Sequence, residues 1–335
     1  ADIEGGSHHF VTAGYELENE SFVSRSADGF TESEVNVSQL SHTFIVQDQV
    51  RLMEGALQLS GAFRTQLFNL EEPTFMPAEG SPYQGLELES PKNAYTGDGS
   101  VAYFIRDSGT KVRAHVGNGY RAPSLYERFG AYFSPFGYSN YGDPRLEPES
   151  SMAFDAGLDQ DLANQKARVS ATYFYTRRKK IIIFDFSGAI NPATDPFGRF
   201  GGYRRVDGGR AQGLELSATA ATGGLRMGAS YTFTDAEPPT EGFEALAQAF
   251  GIPKHQFTIV ATQQIGKNFY VNVDLALSDT YLAPVFDTAT FSSRVYRFEG
   301  MRKADVGASY IWGMSRAGNL RFFAKVDNLF DQDYY

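Results

Sequence analysis

The order of its connections constrains this chain more than any other feature. About thirteen segments alternate apolar and polar residues with the period of a strand. The gaps between them run long (25–40), short (53–55), long (71–98), short (107–109), long (117–148), short (163–164), long (186–201), short (221–223), long (236–252), short (266–267), long (281–297) and short (313–318). Tight turns at one end and large loops at the other are what an antiparallel transmembrane β-barrel requires. A soluble sandwich has no reason to sort its loops by end, and unstructured connections above about fifteen residues are uncommon in compact domains unless they serve a function.

The faces of these segments carry the same message. In ALQLSGAFRTQLF, Leu57, Leu59, Phe63 and Leu67 share one side while Gln58, Ser60, Arg64 and Gln66 share the other. NFYVNVDLALS sets Phe269, Val271, Val273, Leu275 and Leu277 against Asn272, Asp274 and Ser278, and ARVSATYFY splits likewise. Segments 41–52 and 101–106 alternate poorly. The polar side carries Arg64, His115, Asp155, Arg168, Glu215, Arg226, Asp274, Asp305, Arg321 and Lys325. So many charges cannot line a dry core, so that side faces a wet lumen or a polar plug and the ring-rich side faces lipid. Tyr173, Tyr175, Tyr310, Trp312 and Phe330 are expected near the membrane interfaces, where aromatic rings are favoured.

Composition fits an all-β chain: 14% aromatic, 28 Phe, 19 Tyr and 34 Gly, residues that suit pleated surfaces and turns. There is no Cys, which excludes a disulfide scaffold and thiolate-bound metal. A net charge of -10 argues against nucleic acid as a partner, and the one basic run, TRRKK at 176–180, reads as a strand end. No apolar stretch is long enough for a membrane-spanning helix. ADIEGGSHHF shows no export signal. An odd strand count leaves the last strand rising outward, whereas bacterial barrels are even-stranded, so at least one descending strand is expected beyond Tyr335.

Four stretches resemble one family. VRAHVGNGYRAPSLYERFG (112–130) followed by RLEPESSMAFDAGL (145–158), then YRRVDGGRAQGLELSATA (203–220) and VDNLFDQDYY (326–335), resemble in order the signatures of TonB-dependent outer-membrane receptors. The resemblance implies residues 1–335 as part of the barrel domain, about thirteen strands of about 22. The plug domain, the TonB-contacting box, earlier strands and the last strand would lie elsewhere. It also implies a setting in the outer membrane of a Gram-negative-type bacterium, with outer-membrane lipid around the wall and the TonB complex as partner through the absent N-terminal region. Active import of a scarce nutrient would follow: most often a ferric siderophore, otherwise cobalamin, haem or a glycan.

Recognition in such a barrel falls to outer loops and the upper lumen, where rings stack and charges orient a ligand. The richest loop is 120–144, with Tyr120, Arg121, Tyr126, Arg128, Tyr132, Phe133, Phe136, Tyr138 and Tyr141 as candidate ligand contacts. It suggests a planar or catechol-like, often anionic, small molecule; the alternative is that the rings brace the loop. GRFGGYRR adds Tyr203 and Arg204, with Phe200 and Arg205 beside them. GNGYRA matches a dinucleotide fingerprint, but Pro123 and a ring-filled loop follow it in place of the required helix. No Walker A, HExxH or nucleophile elbow occurs, His8 and His9 face opposite sides of a strand, and TGDGS and NPATDP lack the spacing of a dedicated calcium loop. No enzyme activity, metal site or cofactor is therefore expected. The competing readings are a passive porin of about fourteen strands and a soluble secreted β-protein such as an adhesin or lectin.

Overall fold

In a computed structural model of the chain, residues 2–3, 7–27, 32–76, 83, 87–134, 137–185, 189–237, 252–287, 292–314 and 318–332 are described. The N-terminal part runs β1 (Asp2–Ile3), β2 (Ser7–Ala27), β3 (Glu32–Leu52), β4 (Leu57–Leu70), β5 (Thr74–Met76), β6 (Ala94–Ile105) and β7 (Thr110–Arg121). One short α-helix among the described residues, α1 (Leu125–Phe129), precedes β8 (Ala131–Ser134), β9 (Gly137–Asn140), β10 (Glu149–Leu162) and β11 (Ala167–Asp185). Then follow β12 (Gly202–Asp207), β13 (Arg210–Thr222), β14 (Leu225–Glu237), β15 (His255–Ile265) and β16 (Phe269–Ser278). The chain continues through β17 (Tyr281–Asp287), β18 (Ser292–Phe298), β19 (Arg302–Met314) and β20 (Gly318–Val326).

Thirteen of these strands, preceded by the two-residue β1, form one wall in the order β1-β2-β3-β4-β6-β7-β10-β11-β13-β14-β15-β16-β19-β20, each pairing antiparallel with the next. The path is open: β1 and β20 are its two edges. Among the described residues no helix is long and apolar enough to cross a membrane. The wall is a section of an antiparallel barrel, with the alternation read from the sequence preserved in its register. Ser60 faces Ser100 and Ser100 faces His115, which in turn faces Asp155; Asp274 faces both Val260 and Asp305.

The short turns explain themselves locally. Between β13 and β14 only Gly223 and Gly224 intervene, at φ 54° and 83°, the left-handed pair that a two-residue hairpin demands. Ala163, Asn164 and Gln165 also turn through positive φ, and Gly109 at φ 67° closes the link between β6 and β7.

Several long gaps prove to be structured. The expected loop 25–40 is mostly strand: β2 and β3 pair from Ala27↔Glu32 downward, each 21 residues long. A transmembrane β-strand needs about 9–11 residues, so this hairpin projects far past the bilayer. Residues 281–297 hold the β17–β18 hairpin, and Thr74–Met76 pairs with Glu34–Asn36. Both poorly alternating segments, 41–52 and 101–106, are strand over most of their length. The expected loop 236–252 lies mainly outside the described residues.

Candidate functional site: the loop cap and upper lumen

At the long-loop end of β7 the chain turns through Pro123 into α1, a five-residue helix fixed by its ends. Ser124 Oγ accepts the Glu127 N–H at 3.2 Å, and the Glu127 carboxylate accepts the Ser124 N–H at 2.8 Å, a reciprocal capping box. Arg121 anchors the helix to the wall, its guanidinium donating to Glu127 (2.9 and 3.0 Å) and Glu149 (2.9 and 2.8 Å). Leu125 and Phe129 are fully buried and join Val35, Val37, Tyr83 and Phe197 in a small core. Val35 and Val37 share the face of Ser41, to which Gln66 donates at 3.2 Å. The helix therefore sits against the inner side of the projecting β2–β3 hairpin.

Arg128 is 2% exposed. Its Nε and Nη2 donate to Pro144 O at 3.1 and 2.7 Å, and Nη2 also to Glu89 O at 2.5 Å. Burial among neutral carbonyls pulls its pKa down to about 10, because desolvation disfavours the charged form. The nearby carboxylate, Asp143, is already held by Arg145 (3.0 and 2.8 Å) and by Arg199 (3.0 Å). Arg199, 3% exposed, also grips Asp195 at 2.9 and 3.1 Å and donates to Gly142 O and Tyr203 O. Burial pushes the Asp195 carboxyl up, but the hydrogen bonds from the Arg199 side chain and from the Arg199 and Phe197 N–H groups win and hold it below the usual range. The NPATDP carboxylate is thus committed to an arginine, which accounts for that loop without a cation.

Above this core runs a row of rings. Phe22 meets Tyr126 edge-on at 5.7 Å, Tyr126 meets Tyr203 at 5.8 Å, Tyr203 meets Phe184 at 4.9 Å, and Phe184 meets Tyr141 at 5.6 Å. Tyr126 keeps 45% and Phe184 39% of its surface exposed. Burial raises the Tyr203 hydroxyl above its ordinary value, with Tyr126 and Glu127 adding to it.

Of the residues singled out from sequence, the structure brings Tyr126, Tyr141 and Tyr203 into this row. Arg121, Arg128 and Arg204 are engaged internally, Arg204 through Asp185 at 2.5 Å. Tyr120 instead stacks on Phe68 at 6.2 Å and donates to Lys92 O. Tyr132 faces Ser139 and Phe133 faces Tyr138 across the β8–β9 hairpin; their side chains, and Phe136 altogether, lie outside what is described. Sequence reasoning missed Phe22 and Phe184. Both stand near the long-loop ends of their strands, and that position is the signal that could have found them.

Below the cap the inner wall is charged and paired. His115 Nδ1 lies 3.1 Å from Asp155, Arg113 reaches Asp155 and Asp159 at 3.6 and 3.7 Å, and Arg168 meets Asp159 at 3.1 Å. Further round, a cavity of about 720 Å³ is lined by Gln256, Thr258, Ser278, Tyr281, Arg297 and Phe298, among others, where the Tyr281 and Phe298 rings stack at 5.4 Å. Among the described residues no group of three or more His, Cys, Asp or Glu side chains is placed to hold a metal ion.

An open antiparallel wall with a wet inner face and a folded cap defines a class, and comparison with known proteins names it. A model of the family "TonB dependent receptor-like, beta-barrel" matches residues 4–329, and the chain belongs to that family. It is 26% identical over 235 residues to the vitamin B12 transporter BtuB of Photobacterium profundum, covering 70% of this chain and 34% of that protein. It is 23% identical over 214 residues to the metal-pseudopaline receptor CntO of Pseudomonas aeruginosa, covering 63% and 28%. The crystal structure of the unliganded ferric citrate transporter FecA superposes with a TM-score of 0.66 at 19% identity, over 99% of this chain and 48% of that one. The chain thus spans about half the length of that solved relative, and its matches cover about a third of the two others. Family and neighbours are transport receptors of the Gram-negative outer membrane.

Proposed function

We propose that this chain is the barrel portion of a TonB-coupled receptor that captures and imports a scarce nutrient, most readily a ferric siderophore. The observation that carries the reading is the half-exposed row Phe22–Tyr126–Tyr203–Phe184–Tyr141 at the long-loop end of a wall whose inner face is charged. Edge-on rings with open faces suit a planar aromatic chelate. Because Arg121, Arg128 and Arg204 are spoken for internally, they organise the rings more than they meet the ligand. A cobalamin substrate is the second reading, favoured by the similarity to a vitamin B12 transporter.

The test is growth of a deletion strain on a panel of iron chelates and cobalamin. Loss of one ferric chelate, restored by the complete gene, is the expected result. Unchanged use of every iron source discards the iron assignment, and loss of cobalamin uptake alone selects the second reading. Tyr126→Ala with Tyr203→Ala is expected to weaken uptake about tenfold while leaving receptor levels unchanged, since each lost ring contact is worth about 0.5–1.5 kcal/mol.

A further inference from the structure

Beside the ring row, Arg121, Arg199 and Arg204 hold carboxylates and Arg128 holds carbonyls. The charge that has no partner next to Phe22 is negative. On β2, Glu16, Glu18, Glu20 and Phe22 share one side of the strand, opposite Thr43, Ser41, Gln39 and Val37 of β3. That side is the inner one, since Val37 packs in the cap core and Ser41 accepts from Gln66. Three carboxylates thus descend the inner wall over about 20 Å from the Phe22 ring, at about 3.4 Å per residue. The ion pairs described on this hairpin are His9–Asp48 and Arg25–Glu34; none involves Glu16, Glu18 or Glu20. Arg64, an inner-face cation of β4, donates instead to Gln66 at 3.5 Å. Burial pushes the Glu20 carboxyl above its usual range against the pull of the Leu125 N–H, and Glu18 adds to the rise.

A run of acids on a wet wall is by itself only a solvated face. What marks this one is Gln39, directly opposite Glu20 and 5% exposed, whose Oε1 has no hydrogen-bond partner. Buried acceptors are normally matched by donors, and an orphan acceptor beside carboxylates calls for a donor-rich, positively charged group. The rings point the same way. Phe22 and Tyr126 meet edge-on at 5.7 Å, and ring faces attract cations. The cap's own cations over rings, Arg128 on Phe129 and Arg145 and Arg199 on Phe197, serve the buried core instead. An ammonium group has three N–H donors and no acceptor, a match to Glu18, Glu20 and Gln39. Among the described residues no group of three or more His, Cys, Asp or Glu side chains is placed to hold a metal ion, so the fitting occupant is an organic cation.

We propose that the imported chelate carries an ammonium-type cation, seated beside Phe22 and Tyr126 and held by Glu18, Glu20 and the Gln39 oxygen, with Glu16 next below on the way inward. This rests on the receptor reading above and names the charge of its substrate. It reverses the anionic ligand that the loop composition suggests.

The test is equilibrium dialysis of radioiron-labelled chelates against the complete protein in detergent. The probes are a linear ferric trihydroxamate ending in a primary amine, the same chelate with that amine acetylated, and an anionic ferric tricatecholate. Wild type is expected to bind the amine form at least about tenfold more tightly than the acetylated form, about one decade in affinity, and the tricatecholate most weakly. Glu18→Gln with Glu20→Gln brings the amine form down to the level of the acetylated one. Glu32→Gln, which removes a charge from the other side of the same hairpin, keeps the preference. Equal binding of the amine and acetylated forms by wild type, or tightest binding of the tricatecholate, overturns the proposal and leaves the iron reading standing. An undiminished preference in the double variant overturns it as well. Binding of none of the three also overturns it, while the growth panel decides the iron reading separately. The first comparison uses wild type alone, so it stands whether or not the double variant folds.

Discussion

The barrel wall and the loop cap are built on opposite principles. In the wall, backbone pairing supplies the order and side chains are mostly half-exposed: Val273 is 38% and Leu216 40% exposed, as suits residues facing lipid. In the cap, Leu125 and Phe129 are fully buried and Tyr83, Val35 and Val37 are 2% exposed, while two nearly inaccessible arginines tie its loops together. The wall is a solution for hydrocarbon; the cap is a miniature water-soluble core on its rim. Polarity inverts along β3 accordingly, since Val35 and Val37 turn inward under the cap at the same parity where, lower down, Ser41 and Thr43 face the lumen.

That contrast can be broken most forcefully at Arg199. Replacing it with Leu strands Asp195 and leaves Asp143 to Arg145 alone, an expected loss of about 3–5 kcal/mol in cap stability. Hydrogen exchange is expected to accelerate across 122–148 and 190–205 while β13–β16 stay protected; equal loosening of the wall would show that the two regions are one cooperative unit. Phe129→Ala is expected to cost about 3 kcal/mol through the cavity left in the small core, read by the same exchange pattern.

The reciprocal experiment strikes the wall alone. Leu216→Arg, on the lipid face, is expected to destabilise by about 2–4 kcal/mol, whereas Glu215→Arg beside it, on the lumen face, changes stability by less than about 0.5 kcal/mol. Denaturant titration of the complete protein in lipid vesicles measures both. Ser60→Ala, which removes a 2.7 Å hydroxyl contact to Ser100, is expected to cost about 1 kcal/mol.

Acid sharpens the comparison further. The Asp195 carboxyl titrates below its unfolded value near 3.8, so its contribution is fully present above that value and disappears as pH falls through the folded one. Exchange protection of the cap is expected to hold from pH 7 to pH 5 and to decline below about 3.8, and Asp195→Asn removes that step.

The wall was legible because period-two alternation records which solvent each face meets, and the connection lengths record the two ends of the barrel. The cap was less so. A five-residue helix has no periodicity to show, although its Ser124-x-x-Glu127 signature was present. Residues 32–40 escaped notice as strand because Val35 and Val37 point inward above the membrane, against the rule obeyed below it. The ring cluster was visible as composition, but only the fold could separate Tyr126, Tyr141 and Tyr203, which gather in a row with Phe22 and Phe184, from the arginines that serve as internal ties.

The account stands on the environments of neighbouring residues in one strand. Nitroxide labels at Val273 and Asp274 of β16, in the complete protein reconstituted in bilayers, measure them directly by accessibility to oxygen and to a water-soluble nickel chelate. The label at 273 is expected to collide chiefly with oxygen and the one at 274 with the nickel chelate; two aqueous labels, or the reverse order, would contradict the fold and every functional reading built on it.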